Sequence, residues 1–273
     1  MSEHSQGGAP KPIIQGVFSS EKSMTIGFGA TKRRVKQNLY FYVKEEEENG
    51  KLAVQPLNAN MTPSGAKTYI SREELLKSYL PEPAVYLNTV LPNMVSMEQA
   101  VARGDAARAK GELYTAEYDY QTALALNEEH VRAVFGLGLV YLERGDDENA
   151  IKVFQKLVKI DAAFHMDHKH LFNEFGIKLR KRKLYPQALK FYSRAYHLSR
   201  QDDHLLFNLS RTLYEKGRPT IAARFLRKAL AINPLFEESR KFLQHLEKKH
   251  PQTADADENA PSKLDIDDHP FNL

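Results

Sequence analysis

The feature that most restricts what this chain can fold into is a recurrence. A small residue is followed four positions later by an aromatic or a leucine, and three positions after that by another small or apolar residue. The sets are Ala116, Tyr120 and Ala123; Ala150, Phe154 and Leu157; Ala188, Tyr192 and Ala195; Ala222, Leu226 and Ala229. Their leading alanines lie 34, 38 and 34 residues apart. Twelve residues ahead of each stands Gly104, Gly138, Gly176 or Ser210, followed three positions on by Ala107, Tyr141, Leu179 or Leu213. Gly111, Gly145 and Gly217 sit five residues before the same alanine in three copies, and Lys183 takes that place in the other. A regular stride of this length marks a stacked repeat, since one such unit cannot bury its apolar face alone. The small residues let two helices approach, the aromatic fills the gap between units, and the glycine takes the left-handed backbone that ends the first helix.

In these residues the chain resembles the tetratricopeptide repeat (TPR) family. The likeness is closest in the second copy, Leu137, Gly138, Tyr141, Gly145, Ala150 and Phe154, and in the fourth, which closes on Ala229, Ile232, Asn233 and Pro234. The first copy departs from the pattern, with Ala100 and Arg103 where larger apolar residues are usual, as terminal repeats often do. The resemblance implies a mainly α fold, an α-solenoid of four helix-turn-helix repeats (97–130, 131–164, 169–202 and 203–236) within a segment running over 96–234. A capping helix at 235–250 closes it, with Phe242, Leu243 and Leu246 inward and Lys248 and Lys249 near the end, where the helix dipole favours cations. Ser96 with Gln99 three residues on reads as a capping box that opens the first repeat. Four extra residues around His165, Met166, Asp167 and His168 lengthen one turn at small entropic cost. The whole chain, N-terminal module included, is similar to uncharacterised bacterial TPR proteins.

Residues 13–95 change character and predict a small antiparallel β-rich module. Met24, Ile26 and Phe28 alternate with polar or small residues, and Leu39 to Val43 is a β-prone run that Asn49-Gly50 turns back into Leu52, Ala53 and Val54. A two-residue turn would set Val54 opposite Glu45, whereas a loop two residues longer pairs it with Val43; the second keeps apolar side chains on one face and is the expected register. Ser71 and Glu74 form a capping box for a short helix through Tyr79, stopped by Pro81, and Val85 to Leu91 leads to Pro92. So few strands make a poor independent core, so the module is expected to pack on the first hairpin as its N-terminal cap. Glu45 to Glu48 read as a solvated hairpin edge. Residues 1–12 and 251–273 are expected to be disordered tails.

Composition then removes function classes. With no cysteine among 273 residues, disulfides, thiolate metal sites and cysteine nucleophiles are excluded. No nucleophile, base and oxyanion set and no cofactor motif is apparent, so the chain is not expected to be an enzyme and no cofactor or metal is assigned. Gly65-Ala66-Lys67-Thr68 lacks the spaced glycines of a phosphate loop. The absence of an 18-residue apolar run or a secretory start points to a cytoplasmic protein without a membrane span. The net charge of +4 is unevenly spread: residues 96–250 hold 27 Lys and Arg against 20 Asp and Glu, while residues 251–273 hold one against six.

In TPR proteins the inner groove is lined by the first helix of each hairpin. The resemblance carries that role to Arg132, Phe135, Leu139 and Leu142 in copy two, to His170, Asn173, Ile177 and Arg180 in copy three, and to His204, Phe207, Arg211 and Tyr214 in copy four. Apolar surface mixed with cations and an amide suits a peptide carrying carboxylates. The expected function is a noncatalytic scaffold or adaptor that binds a peptide segment of a protein partner, acidic in character. The Lys and Asn pair with which chaperone-binding TPR proteins grip a terminal carboxylate is replaced by Val101 and Asp105, so that activity is not implied. The basic run Lys178, Arg180, Lys181, Arg182 and Lys183 offers nucleic-acid binding as the alternative, with only Tyr185 near for stacking. His165, Asp167, His168 and His170 straddle a turn and do not amount to a metal site. The apolar anchors and acids of residues 264–273, Leu264 to Leu273, suggest self-docking into the basic groove.

Overall fold

The computed structural model describes residues 13–26, 32–46, 50–160 and 168–253. The chain divides into two compact units, one of residues 1–102 with 122–130, the other of residues 103–121 with 131–273.

The first unit holds a five-stranded antiparallel sheet. β1 (Gln15–Ile26) and β2 (Arg33–Glu45) pair along their length, β3 (Leu52–Pro56) and β4 (Thr68–Ile70) extend the β2 side, and the two-residue β5 (Leu80–Pro81) joins β1, in the order β4-β3-β2-β1-β5. Val43 pairs with Val54 and Glu45 with Leu52, the register of the longer loop, because only that register stacks Val43, Leu52 and Val54 on one buried face. Helix α1 (Arg72–Ser78) covers that face through Leu75, and Ser71 caps it by accepting from the Glu74 amide at 3.1 Å. Glu45 and Glu46 are not a solvated edge as expected. Glu45 takes two hydrogen bonds from Arg72 at 2.6 and 2.8 Å, and Glu46 accepts from the Tyr69 hydroxyl. The side chains of Met24 and Ile26, together with Phe28, Glu47, Glu48 and Asn49, lie outside the described residues.

Ser96 does not cap a helix start as expected. A helical turn α2 (Pro83–Val85) passes through a wide π turn (Tyr86–Val90) into α3 (Leu91–Ala109), so Ser96 and Gln99 lie inside a helix. Pro92, which has no N–H to donate, does not end the helix. The π turn, closed by the Leu91 amide on the Tyr86 carbonyl, shifts the register just ahead of it and lets the helix run on. The loop between β3 and β4 caps the far end of α4 (Leu113–Leu126). Asn58 Nδ2 and Thr62 Oγ1 each donate to the Leu126 carbonyl at 2.9 Å, Asn60 Nδ2 donates to that of Ala125 at 2.8 Å, and Asn127 Nδ2 returns a bond to Pro63. Carbonyls orphaned at a helix end thereby find donors on the sheet module.

The second unit is built from α5 (Val131–Arg144), α6 (Asp147–Leu157), α7 (Lys169–Lys181), α8 (Tyr185–Leu198), α9 (Asp203–Glu215), α10 (Pro219–Ile232) and α11 (Glu237–Lys249). α5 lies against α7 and α7 against α9, the first helices of successive hairpins side by side. All four hairpins turn alike: φ is +79° at Gly111, +78° at Gly145, +61° at Lys183 and +82° at Gly217. At each, two amides close back on the helix, as Lys183 N on Arg180 O and Leu184 N on Leu179 O. The core is aromatic, with Phe135, Phe175 and Phe191 mutually 5.6–6.0 Å apart between centroids. Tyr120 presses so closely on α5 that a Cβ at Gly136 would stand 2.3 Å from its ring, and one at Gly176 would stand 2.2 Å from Tyr192. Residues 251–253 are not part of a free tail: they form a turn in which Thr253 is buried and its carbonyl accepts from Arg227 at 2.8 Å. Residues 1–12, the extra-residue turn at His165–Asp167 and the tail segment 264–273 lie outside the described residues.

Candidate peptide-binding face

On α5 the candidate residues separate. Arg132 is exposed and donates to Asp105 Oδ2 at 2.7 Å. Phe135, Leu139 and Leu142 are 0, 1 and 3% exposed, so these three are packing residues and not groove lining as expected. For Phe135 the cause is visible: Phe172 and Phe175 of α7 and Phe191 of α8 surround the ring. On α7, Ile177 is half-buried, and the side chains of His170 and Asn173 lie outside the described residues. Arg180 is also a correction, since only 7% of it is exposed and its Nη1 is spent on Glu215 of α9.

On α9, His204 is exposed, its Nδ1 2.9 Å from Asp203 and its ring 4.8 Å from Phe236. Phe207 and Tyr214 pack against Phe242 of α11 at 6.2 and 5.5 Å, so the capping helix half covers them. Arg211 is exposed and makes no hydrogen bond or ion pair among the described residues. Partial burial pulls its pKa down from the usual arginine value, Arg180 adds to that, and Glu215 opposes it. Beneath it the Tyr192 hydroxyl is buried with no partner among the described residues, as is Arg180 Nε. Burial raises the pKa of Tyr192, against the pull of both arginines.

The face between the first two repeats has the opposite balance. Asp105 accepts from the Tyr120 hydroxyl at 2.6 Å as well as from Arg132, and burial together with that bond raises the pKa of Tyr120. Arg108 reaches Glu143 at 3.1 Å and Glu174 at 3.0 Å. The basic run at the end of α7 is largely consumed by this pairing: Lys178 bonds to Glu143, Arg180 to Glu215 and Arg182 to Asp147, each 35 residues away. Paired cations cannot offer their charge to a phosphate backbone at full strength.

Of the histidines and aspartate that the sequence does not make into a metal site, His165, Asp167 and the side chain of His170 lie outside the described residues. Asp202, Asp203 and His204 bring ligating atoms within 4.8 Å, yet each carboxylate is already used. Asp202 caps α9 through the Leu205 amide, and Asp203 accepts from Asn233 at 2.7 Å. Sequence reasoning missed a cleft of about 320 Å³ on the second-helix layer, where Ile151, Phe154 and Val158 face Pro186, Lys159 and Lys190. Phe154 was read as packing alone, and only the fold brings the two lysines beside it. No helix among the described residues is long and apolar enough to cross a membrane.

Family models described as tetratricopeptide repeat match residues 101–163 and residues 203–234. Over 111 residues the chain is 28% identical to anaphase-promoting complex subunit 3 of Schizosaccharomyces pombe (strain 972 / ATCC 24843), covering 41% of this chain and 16% of that protein. The chain thus spans about a sixth of the length of the curated relative it matches. Among solved structures, pilF of Pseudomonas aeruginosa is similar at 17% identity and a TM-score of 0.47, over 59% of this chain and 72% of that one. A MamA protein is similar at 19% identity and a TM-score of 0.47, over 59% and 86%.

Proposed function

We propose that this chain, whose residues 101–163 and 203–234 match models of the tetratricopeptide repeat, is a noncatalytic scaffold or adaptor that holds a peptide segment of a protein partner. The observation that supports this best is the side-by-side placement of α5, α7 and α9, which lines up side chains of successive repeats into a track one extended chain can follow. On this reading the working residues are Arg132, Ile177, His204 and Arg211 with the exposed edges of Phe207 and Tyr214, joined by His170 and Asn173. Phe135, Leu139, Leu142 and Arg180 support them from beneath. The partner segment is acidic, because Arg211 is the exposed cation on α9 with no partner among the described residues. Residues 13–95 hold the end of α4 through the hydrogen bonds from Asn58, Asn60 and Thr62.

An affinity pulldown with the 273-residue chain, its Asn173→Ala variant and its Arg211→Ala variant tests the reading. A specific prey lost from both variants is the expected result. A prey retained by both would place binding elsewhere, the Lys159 and Lys190 cleft being the next surface to change. Nucleic-acid binding is disfavoured by the ion pairs that take up Lys178, Arg180 and Arg182.

A further inference from the structure

Where α7, α8 and α9 meet, two buried donors have no acceptor among the described residues. Arg180 gives Nη1 to Glu215, while its buried Nε has no partner among the described residues. The Tyr192 hydroxyl, wholly buried against Gly176, has none either. Arg211, on the solvent side, is unpaired among the described residues. One carboxylate, Glu215, therefore pairs with Arg180 and leaves Arg211 and a phenol unanswered among the described residues.

The repeat-related corner shows what is missing. Tyr120 and Tyr192 hold the same place in their repeats, four residues after Ala116 and Ala188. The Tyr120 hydroxyl is satisfied by Asp105, the residue directly after Gly104. The residue directly after Gly176 is Ile177, which has no acceptor to give. The second corner is thus the first with its carboxylate removed and a cation, Arg211, added. A buried donor without a partner is costly, and the cation of this corner that an incoming anionic acceptor can reach is Arg211.

We propose that this acceptor is a carboxylate of the chain's own acidic segment, residues 254–273, docked at Arg211 with Arg180 and Tyr192 beneath. The inference rests on the peptide-track reading and assigns one occupant to it. The described chain ends close by. Thr253 is held by Arg227, the His250 ring lies 6.1 Å from that of Tyr214, and Lys249 Nζ is 3.1 Å from the Tyr214 hydroxyl. Tyr214 is three residues beyond Arg211 on α9, one helical turn away. The twenty residues that follow Thr253 carry six Asp and Glu against one Lys. Fully extended they span about 66 Å, so reach is not limiting. Tethering of this kind supplies an effective concentration on the order of millimolar, enough for a weak contact to exclude a competitor.

The test uses a fluorescein-labelled synthetic peptide of residues 261–273 and two forms of the 273-residue chain. One is unaltered; the other carries Asp255→Asn, Asp257→Asn, Glu258→Gln, Asp265→Asn, Asp267→Asn and Asp268→Asn. Measured by fluorescence anisotropy, the neutralised form is expected to bind the peptide at least about tenfold more tightly, because its own segment no longer competes. Adding Arg211→Gln to that form is expected to weaken binding about tenfold or more. Equal affinity of the two forms overturns the proposal. So does an Arg211→Gln variant that binds as before, which would put the segment on another surface. An unrelated acidic peptide that binds the unaltered chain as tightly as the neutralised one would show that only a partner fills the corner, and would overturn it as well. The track reading fails separately, if Asn173→Ala and Arg211→Ala leave every prey bound in the pulldown.

Discussion

Lys183 stands where the other three hairpins have glycine, and its backbone takes the same left-handed shape, φ +61° against +78° to +82°. An L side chain in that region costs about 1–2 kcal/mol. Replacing it by glycine removes that strain but gives the unfolded chain more freedom, which takes back about 0.5–1 kcal/mol. The Lys183 side chain is exposed, so little else is lost. Lys183→Gly is therefore expected to stabilise the protein by about 0.5–1 kcal/mol, or about 1–4 °C in Tm for a chain of this size. The reverse change is available as a control, because an added Cβ at Gly217 meets nothing within 4 Å. Gly217→Ala therefore isolates the backbone effect and is expected to destabilise by about 1 kcal/mol. Urea unfolding followed by circular dichroism reads both, with the slope checked in each case, since repeat arrays can lose two-state behaviour. If Lys183→Gly lowers the midpoint while Gly217→Ala leaves it unchanged, the backbone does not limit these turns and the reasoning fails.

Gly136→Ala should cost about 3 kcal/mol or more, because the Tyr120 ring is pinned between Gly136 and Gly104 and cannot retreat; the midpoint of urea unfolding reads it. Thr62→Val removes one donor from the Leu126 carbonyl and should cost about 1 kcal/mol. Asn58→Ala should cost more, about 2–3 kcal/mol, since Asn58 also accepts from the amides of Asn60 and Thr62; the same unfolding assay ranks the two. Tyr120 and Tyr192 both have pKa values raised by burial, so below about pH 10 they are neutral whether the chain is folded or not. Above that the unfolded chain loses their protons first, and stability should fall as pH rises, measured as a lower urea midpoint at about pH 11 than at about pH 8.

The hairpins were legible in the sequence because their closure depends on residues with no substitute. Gly104, Gly138 and Gly176 admit a ring that any side chain would exclude, and Gly111, Gly145 and Gly217 supply the turn. The β2–β3 register was legible for a similar reason, since one slip would have turned Val43 and Val54 away from each other. The candidate face was less so. Phe135, Leu139 and Leu142 occupy positions that the family resemblance places toward a groove, and whether such a position is open depends, as at Phe135, on the size of what the next hairpin brings. Here that hairpin brings Phe172, Phe175 and Phe191. The start of the first helix was hidden by Pro92, which ends an ordinary α-helix but not one that has already widened by a residue.

The dense basic run at the end of α7 looked like the chain's most conspicuous charge, yet stacking consumes most of it. A residue 35 positions away lies across from its partner in the neighbouring hairpin, so Lys178 meets Glu143, Arg182 meets Asp147 and Arg180 meets Glu215. Charge density along the sequence therefore reports repeat-to-repeat attachment first. What remains for a guest is the charge that the stack does not pair. At the first corner almost none remains, because Asp105, Glu143 and Glu174 answer Arg132, Arg108 and Lys178. At the second corner Glu215 answers Arg180, and Arg211 is left over. If that surplus governs recognition, Ile177→Asp should act like the missing Asp105. It would place an acceptor beside Tyr192 and Arg211 and lower affinity for an acidic peptide about tenfold, by supplying from within what the guest supplies from outside. Unchanged affinity in a folded Ile177→Asp protein would show that the unpaired arginine is incidental to binding.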